Sequence, residues 1–455
     1  MCRVKELAYG LLTCTGRCTI TGMLIAIGRQ FVDWTAAYQI FMGSRMNTDR
    51  LFEVVTKVCL EQLTSTQFIV AHMDDTVIRK VGKNIPGTSW RRDPLGPAFQ
   101  SNLVWAQRFI QISLSLHSPT DLNSQSRAIA VDFHHSPSVK KLAANFNNED
   151  RRTYLESKKQ QNLSTQGLER IKLLRTRLNE QGACGRTLHL SVDGSYTNST
   201  ILKGLPAGVT LIGRVRKDAT FNNLPESQKR KGRDRKYGDV MPTPEDLRTS
   251  DDIPWQEIPG WAAGKKHDFN VKVIRSVKWR TAGQDHTFQL VIIRALSYRL
   301  KNGSKLLYRK PAYLICSDND LEIETLLQVY LWRWEIEVNF RDEKSINGCG
   351  EAQVRNEISA VKVPQFVVAM HAFIHLADYI HTRIKPQSNL PRAKWEQRNK
   401  RLRSSTNNIL NNFRGCYVFE KLGKSFSDFV VKQRQIINTI NPLIDAINPL
   451  FYIRR

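Results

Sequence analysis

Residues 330–344 read YLWRWEIEVNFRDEK. Tyr330, Arg333, Glu337 and Lys344 succeed one another at steps of 3, 4 and 7. At about 100° per residue, these four side chains and Arg341 fall within roughly 80° of one another on a helix. Beside them runs an apolar row, Trp332, Ile336 and Phe340, at i, i+4 and i+8. The spacing predicts a helix with a buried stripe and, next to it, a polar stripe in which bases surround one acid. A solvated face tied by the i,i+4 pair Arg333–Glu337 is the simplest explanation. It accounts for neither the tyrosine nor the bases on both sides of a single carboxylate.

The composition narrows the partner. The 455 residues hold 68 Lys and Arg against 42 Asp and Glu, a formal net charge of +26, with a pI near 9.9. A surplus of this size favours a polyanion, and nucleic acid comes first. No apolar run reads as a bilayer span: Phe366–Ile380 is interrupted by His371, His375 and Asp378 and reads as a core helix. The N-terminus MCRVKELAYGLLTC lacks a signal-peptide core, so a cytoplasmic protein without a membrane partner is expected. The eight cysteines are scattered and form no CxxC pair; reduced, mostly buried thiols are expected.

Upstream, apolar positions recur through 19–65 as in helices, with polar breaks near Gly43–Asn47. QFIVAHM (67–73) is a short apolar run that stops at Asp74-Asp75-Thr76 and predicts a central strand with acids at its end. Strands are predicted at 102–116, 127–133, 187–196 and 209–217, and a long charged helix at 148–181. In TLHLSVDGSY (187–196), Asp193 closes the alternating Leu188, Leu190 and Val192 just before a glycine. Strands interleaved with helices predict a mixed α/β sheet covered by helices, in which strand ends are the usual place for a site.

Strands at 268–298 and 306–317 mark residues 218–318 as a β-rich insertion. It divides a core of 66–217 and 319–385, leaving a helical N-terminal region at 1–65 and a basic linker and helical tail at 386–455. The loop at 226–239 concentrates Lys229, Arg230, Lys231, Arg233, Arg235 and Lys236; a DNA contact and a solvated surface loop explain it about equally well.

Several chemistries are missing. No GxSxG, HExxH or GxxxxGK[ST] occurs, and GWAAGKK (260–266) has the wrong spacing for a phosphate loop. His371, His375, Asp378 and His381 share a helical face, where histidines are more often core residues than ligands. Asp74, Asp193 and Glu337 remain. Carboxylate oxygens suit Mg²⁺ or Mn²⁺. Two such ions about 4 Å apart can drive phosphodiester displacement. Spacing alone weighs this evenly against scattered turn acids.

The pattern Y-x2-R-x3-E-x6-K, met by Tyr330, Arg333, Glu337 and Lys344, resembles the YREK signature of the insertion-sequence-four superfamily of bacterial DDE transposases. The strand ending at Asp74-Asp75-Thr76 looks like the first aspartate motif of that family, and VDGSY (192–196) like its second. GEAQVRN (350–356), a few residues after Lys344, is similar to the corresponding stretch of YREK-bearing relatives, and the resemblance spans roughly 65–420. It implies a ribonuclease H-like core with a β-rich insertion before the last catalytic helix. It implies cut-and-paste transposition with Mg²⁺ (or Mn²⁺) at Asp74, Asp193 and Glu337. It also implies double-stranded DNA as partner, gripped by Tyr330, Arg333 and Lys344 with Arg341 beside them, and a homodimer when two ends are bound. Relatives favour Asp74 over its neighbour Asp75; on a strand the two face opposite ways, so one of them is the ligand. About 65 residues precede the first strand, so a separate end-recognition domain is expected to be small or missing. The rivals are a nuclease of the same fold that only hydrolyses, and an inactive DNA-binding relic.

Overall fold

A computed structural model describes residues 2–31, 33–64, 67–93, 96, 102–118, 120–139, 142, 146–225, 235–282, 286–298, 303, 305–384 and 403–425. In chain order its elements are α1 (Cys2–Thr13), α2 (Ile20–Ala26), α3 (Thr35–Met42), α4 (Thr48–Gln62), β1 (Ile69–Arg79), β2 (Ser89–Arg92), β3 (Leu103–Leu116) and β4 (Arg127–His135). Next come α5 (Asn148–Gln160), α6 (Leu163–Leu178), β5 (Leu188–Val192), α7 (Ser199–Gly204), β6 (Val209–Arg214), α8 (Pro244–Thr249), β7 (Gln256–Ala262) and β8 (Lys265–Val277). The last are β9 (Phe288–Ile293), β10 (Leu296–Tyr298), β11 (Leu307–Arg309), β12 (Ala312–Cys316), α9 (Ile323–Trp332), α10 (Trp334–Ser345), α11 (Glu357–Ile384) and α12 (Thr406–Ser425).

The chain divides into a sheet unit, 56–76 with 109–338, and a helical unit, 1–55 with 77–108 and 339–455. Across the sheet unit the strands run β3-β1-β5-β6-β12-β9-β8-β7, with β4 also on β3; β2, on the part of β3 within the helical unit, brings the sheet to ten strands. β5 pairs in parallel with β1 and β6. The pairs β3–β4, β6–β12, β12–β9, β9–β8 and β8–β7 are antiparallel. This mixed α/β architecture, a mostly antiparallel sheet with flanking helices, is compatible with a ribonuclease H-like fold. The strands of 218–318 extend the same sheet through β12, β9, β8 and β7, while β10 and β11 pair only with each other.

Strand alternation assigns the two faces of β1. Val70 packs into a core with Ile212 from β6, Val291 from β9 and Leu314 from β12, and with Leu326, Leu327, Val329 and Trp332 from α9. Fully burying each of these aliphatic side chains contributes about 1.5–3 kcal/mol, which seats α9 on that face. Gln328 ties the helix to β7, accepting from the Trp261 N–H at 2.7 Å and donating to its carbonyl at 3.2 Å. On the opposite face Met73 meets α6, where a Cβ on Gly167 would lie 3.0 Å from the Tyr196 ring and 3.5 Å from Met73.

The elements depart from the sequence expectations in four places. The predicted helix 148–181 is two helices, because Asn162 caps α6 through the Ser164 N–H and so ends the first. β7 was not expected from QEIPGWA; Ala263 (φ 53°) and Gly264 (φ 83°) make a two-residue hairpin turn that joins it to β8. β1 does not stop at Met73 but runs on to Arg79, so Asp74 and Asp75 lie within the strand. The helix through YREK breaks at Arg333, where its N–H turns back to the Tyr330 carbonyl at 3.2 Å.

In the helical unit, α11 spans 28 residues and by length and composition could cross a bilayer, contrary to the reading of its sequence; 78% of its most apolar window is buried inside the protein. Phe366 meets Phe41 edge-on, His371 Nδ1 faces Glu343 at 3.6 Å, and the His375 ring nitrogen lies 3.0 Å from the Thr406 hydroxyl. Both histidines are core side chains. Five of the seven free cysteines described are buried.

Candidate active site

The register of the parallel strands brings the two aspartates together. Met73 on β1 lies opposite Val192 on β5, and β5 ends there. Asp74 and Asp193 are the next residue on each strand, so they are neighbours at the point where the pairing stops. The chain turns at once after Asp193: its carbonyl accepts from the Tyr196 N–H at 3.0 Å and the Thr197 hydroxyl at 3.2 Å. Gly213 on β6 leaves room for that turn, since a Cβ there would stand 2.2 Å from Thr197 Oγ1.

Asp74 and Asp75 occupy different environments. Asp74 shares the α9 face with Val70. Asp75 faces the other way and accepts from the Tyr196 hydroxyl at 3.1 Å. The third acid, Glu337, stands in the first turn of α10. Arg333 joins it to the sheet: Nη1 donates to Asp74 Oδ2 at 3.2 Å and Nη2 to Glu337 Oε1 at 3.1 Å. Its side chain is only 11% exposed, so this is no solvated surface pair.

The charges reflect how crowded this place is. Burial pushes the Asp74 carboxyl up to about 7; Arg333 and the Asp75 N–H oppose this, while Asp75 and Asp193 add to it. Glu337 is raised as well, first by burial, against the pull of Arg333 and with a push from Asp193. Burial works against the Arg333 charge, but Asp74 and then Glu337 outweigh it, and its pKa stands above the ordinary value. One guanidinium shared between two acids leaves negative charge unbalanced.

His72, two residues before Asp74 on the same face, is fully buried, and neither ring nitrogen has a hydrogen-bond partner among the described residues. Burial, Arg333 and His117 push it down to about 3, so it is neutral. Neither His72 nor Tyr196 was singled out from sequence. Tyr196 had a signal, its place in VDGSY; His72 had none beyond a polar residue inside an apolar strand.

Tyr330, half-buried on α9, contributes to the field at Arg333. Arg341 and Lys344 belong to the helical unit. There Arg341 pairs with Asp342 at 2.8 Å, and Lys344 lies over the Phe340 ring at 5.9 Å with its pKa lowered by burial. Of the basic loop, Arg235 and Lys236 are described, while Lys229, Arg230, Lys231 and Arg233 lie outside the described residues. Beside the turn after Asp193 opens a cleft of about 1130 Å³, lined by Gly194 and Thr197 and by Arg214, Arg216, Lys217, Arg280 and Lys310.

Asp74, Asp193 and Glu337 offer only hard oxygen donors and an excess of negative charge, which fits a divalent cation of the Mg²⁺ type. Arg333 lies between two of them, Asp74 and Glu337, and among the described residues no three His, Cys, Asp or Glu side chains stand close enough together to hold a metal ion.

No curated protein matches the sequence. The family described as DDE superfamily endonuclease matches residues 3–285, more than half of the chain. That span includes Asp74 and Asp193 and stops before Tyr330–Lys344. With that match over more than half of its length, Asp74 and Asp193 included, the chain belongs to the DDE superfamily endonucleases.

Proposed function

We propose that the protein is a DNA transposase of the YREK-bearing insertion-sequence-four type, acting by cut and paste with Asp74, Asp193 and Glu337 as its catalytic acids. The observation that carries this reading is the register that makes Asp74 and Asp193 neighbours, with Glu337 joined to Asp74 through one buried arginine. Mg²⁺ or Mn²⁺, when bound, supplies the charge that activates the nucleophile and stabilises the leaving oxygen. The three carboxylates would hold the ions, and buried His72 would keep water from the protein side of Asp74.

Tyr330, Arg333 and Lys344, with Arg341, position the phosphodiester of the transposon end; a planar guanidinium suits a phosphate as well as a carboxylate. The basic cleft beside Gly194 and the loop Lys229–Lys236 offer phosphate contacts to the flanking duplex. Water first nicks the end. The freed 3′-hydroxyl then attacks the other strand, giving a hairpin and releasing the flanking DNA with its own 3′-hydroxyl. A second water opens the hairpin, and the regenerated 3′-hydroxyl attacks the target DNA. A cytoplasmic, nucleoid-associated bacterial protein that forms a homodimer on two ends accords with this reading.

A nuclease that only hydrolyses is the second reading. The description of the matching family as an endonuclease accords with it. A DNA substrate carrying the frame and its flanking genomic sequence separates the two. Mg²⁺-dependent excision followed by joining to a target plasmid supports transposition. Nicked or linear products without joining support hydrolysis alone.

A further inference from the structure

The cation that now stands between Asp74 and Glu337 is part of the chain. Arg333 reaches both acids with separate nitrogens, at 3.2 and 3.1 Å, and is almost closed off from solvent. Asp193 also acts on its charge. The backbone of Arg333 sits at the break between α9 and α10, directly after Trp332, which is 2% exposed and whose indole N–H donates to the Ser124 carbonyl at 2.9 Å. The base of the side chain is therefore fixed, and only its long arm is free to change partner.

A guanidinium and a divalent ion cannot both occupy the place between these carboxylates, since like charges in a poorly screened site repel strongly. The same planar fork has a second suitable partner, a phosphodiester. We propose that Arg333 is a tethered counter-cation: it holds Asp74 and Glu337 in the free protein and yields their oxygens to a divalent ion when DNA phosphate draws its guanidinium away. This rests on reading Asp74, Asp193 and Glu337 as metal ligands. Binding of metal and binding of DNA then strengthen each other, because each favours the same arginine position, and the coupling is reciprocal. The free protein is thereby kept from loading metal, and so from acting, away from DNA.

The test measures Mn²⁺ affinity of the full chain, by electron paramagnetic resonance of the unbound ion, with and without a short mixed-sequence duplex. Parent, Arg333→Met, Arg333→Lys and Asp74→Asn are compared, and melting in chelator shows which are folded. Without DNA, Arg333→Met should bind Mn²⁺ at least about tenfold more tightly than the parent. The duplex should tighten Mn²⁺ binding by the parent severalfold and leave Arg333→Met unchanged. Mn²⁺ should also raise the melting temperature of Arg333→Met more than that of the parent. If Arg333→Met does not fold, Arg333→Lys, which loses the two-pronged hold, should still bind Mn²⁺ more tightly than the parent. Equal or weaker Mn²⁺ binding by the folded variants, or a duplex effect that persists without the arginine, overturns the proposal. Asp74→Asn separates the two layers: it should lose Mn²⁺ affinity whatever the arginine does. Were Asp74→Asn to bind Mn²⁺ like the parent, the carboxylate reading would fall, and this inference with it.

Discussion

Tyr196 donates its hydroxyl to Asp75 at 3.1 Å, on the side of β1 turned away from Arg333. Adjacent acids in one strand thus have separate tasks: Asp75 is held by a tyrosine from the turn after Asp193, while Asp74 meets the arginine that also holds Glu337.

Exchange of each acid separates these tasks. Asp74→Asn should reduce Mg²⁺-dependent nicking by at least about a hundredfold, as expected for a lost ligand. Asp75→Asn keeps an acceptor for Tyr196 and should nick within about tenfold of the parent, as a neutral hydrogen bond replaces a charged one. Both are read on a supercoiled plasmid. A dead Asp75→Asn beside an active Asp74→Asn would reverse the assignment.

Stability should depend on pH through Asp74. Its carboxyl titrates near 7 in the folded protein against an ordinary 3.8, the attraction of Arg333 already included. Between those values the folded chain holds a proton that the unfolded chain has released. This contribution is fully present below the ordinary value and is lost as pH rises through 7. Asp74→Asn lacks it, so in chelator its unfolding free energy relative to the parent, read from denaturant melts, should climb from pH 5 to pH 8 by an amount on the order of a few kcal/mol at most. A difference that stays constant with pH would show that Asp74 titrates normally.

The turn behind Asp193 depends on a missing side chain. Gly213→Ala places a methyl 2.2 Å from Thr197 Oγ1 and 2.9 Å from its Cγ2. The cost should be about 1–3 kcal/mol, typical of an overpacked core. Removing the obstacle with Thr197→Ala should recover part of it. Denaturant melts of the two single variants and the double variant give the coupling; strict additivity would mean that the strand shifts without resistance.

At the β7–β8 hairpin, Ala263 holds φ at 53°. Asparagine tolerates that region far better, and Asn-Gly is the preferred pair for such a turn. Ala263→Asn should therefore stabilise the protein by about 0.5–1 kcal/mol in the same melts. Destabilisation would argue against the two-residue turn.

For the loop outside the described residues, neutralising Lys229, Arg230, Lys231 and Arg233 should flatten the log–log salt dependence of duplex binding by about three to four units, if each releases one counterion. An unchanged slope would leave the loop a solvated surface feature.

Much of this site is legible in the residues themselves. QFIVAHM and LHLSV are apolar enough to be central strands, and their ends name Asp74 and Asp193. The steps in YREK place Glu337 near Arg333. What sequence cannot supply is where a partner stops. β1 runs on through its acids because it keeps neighbours after β5 has ended at Val192. The inward aim of Arg333 depends on a helix break that no Gly or Pro announces, and on an aspartate that lies 259 positions away. β7 was hidden by Pro259 and Gly260, which weaken a strand pattern; both sit at the end of the sheet, where such residues are tolerated.

That end of the sheet has a further consequence. In a two-residue hairpin the pair next to the closing one, Trp261 and Lys266, turns its amides outward. On β7 this would leave Trp261 with an exposed N–H and C=O, ready to accept a strand from another molecule. Gln328 binds both, and Pro259, two residues before, has no N–H to offer. One buried amide and one proline thus guard a wide sheet against growing by edge addition, and a Gln328→Leu chain should be the first to aggregate when concentrated.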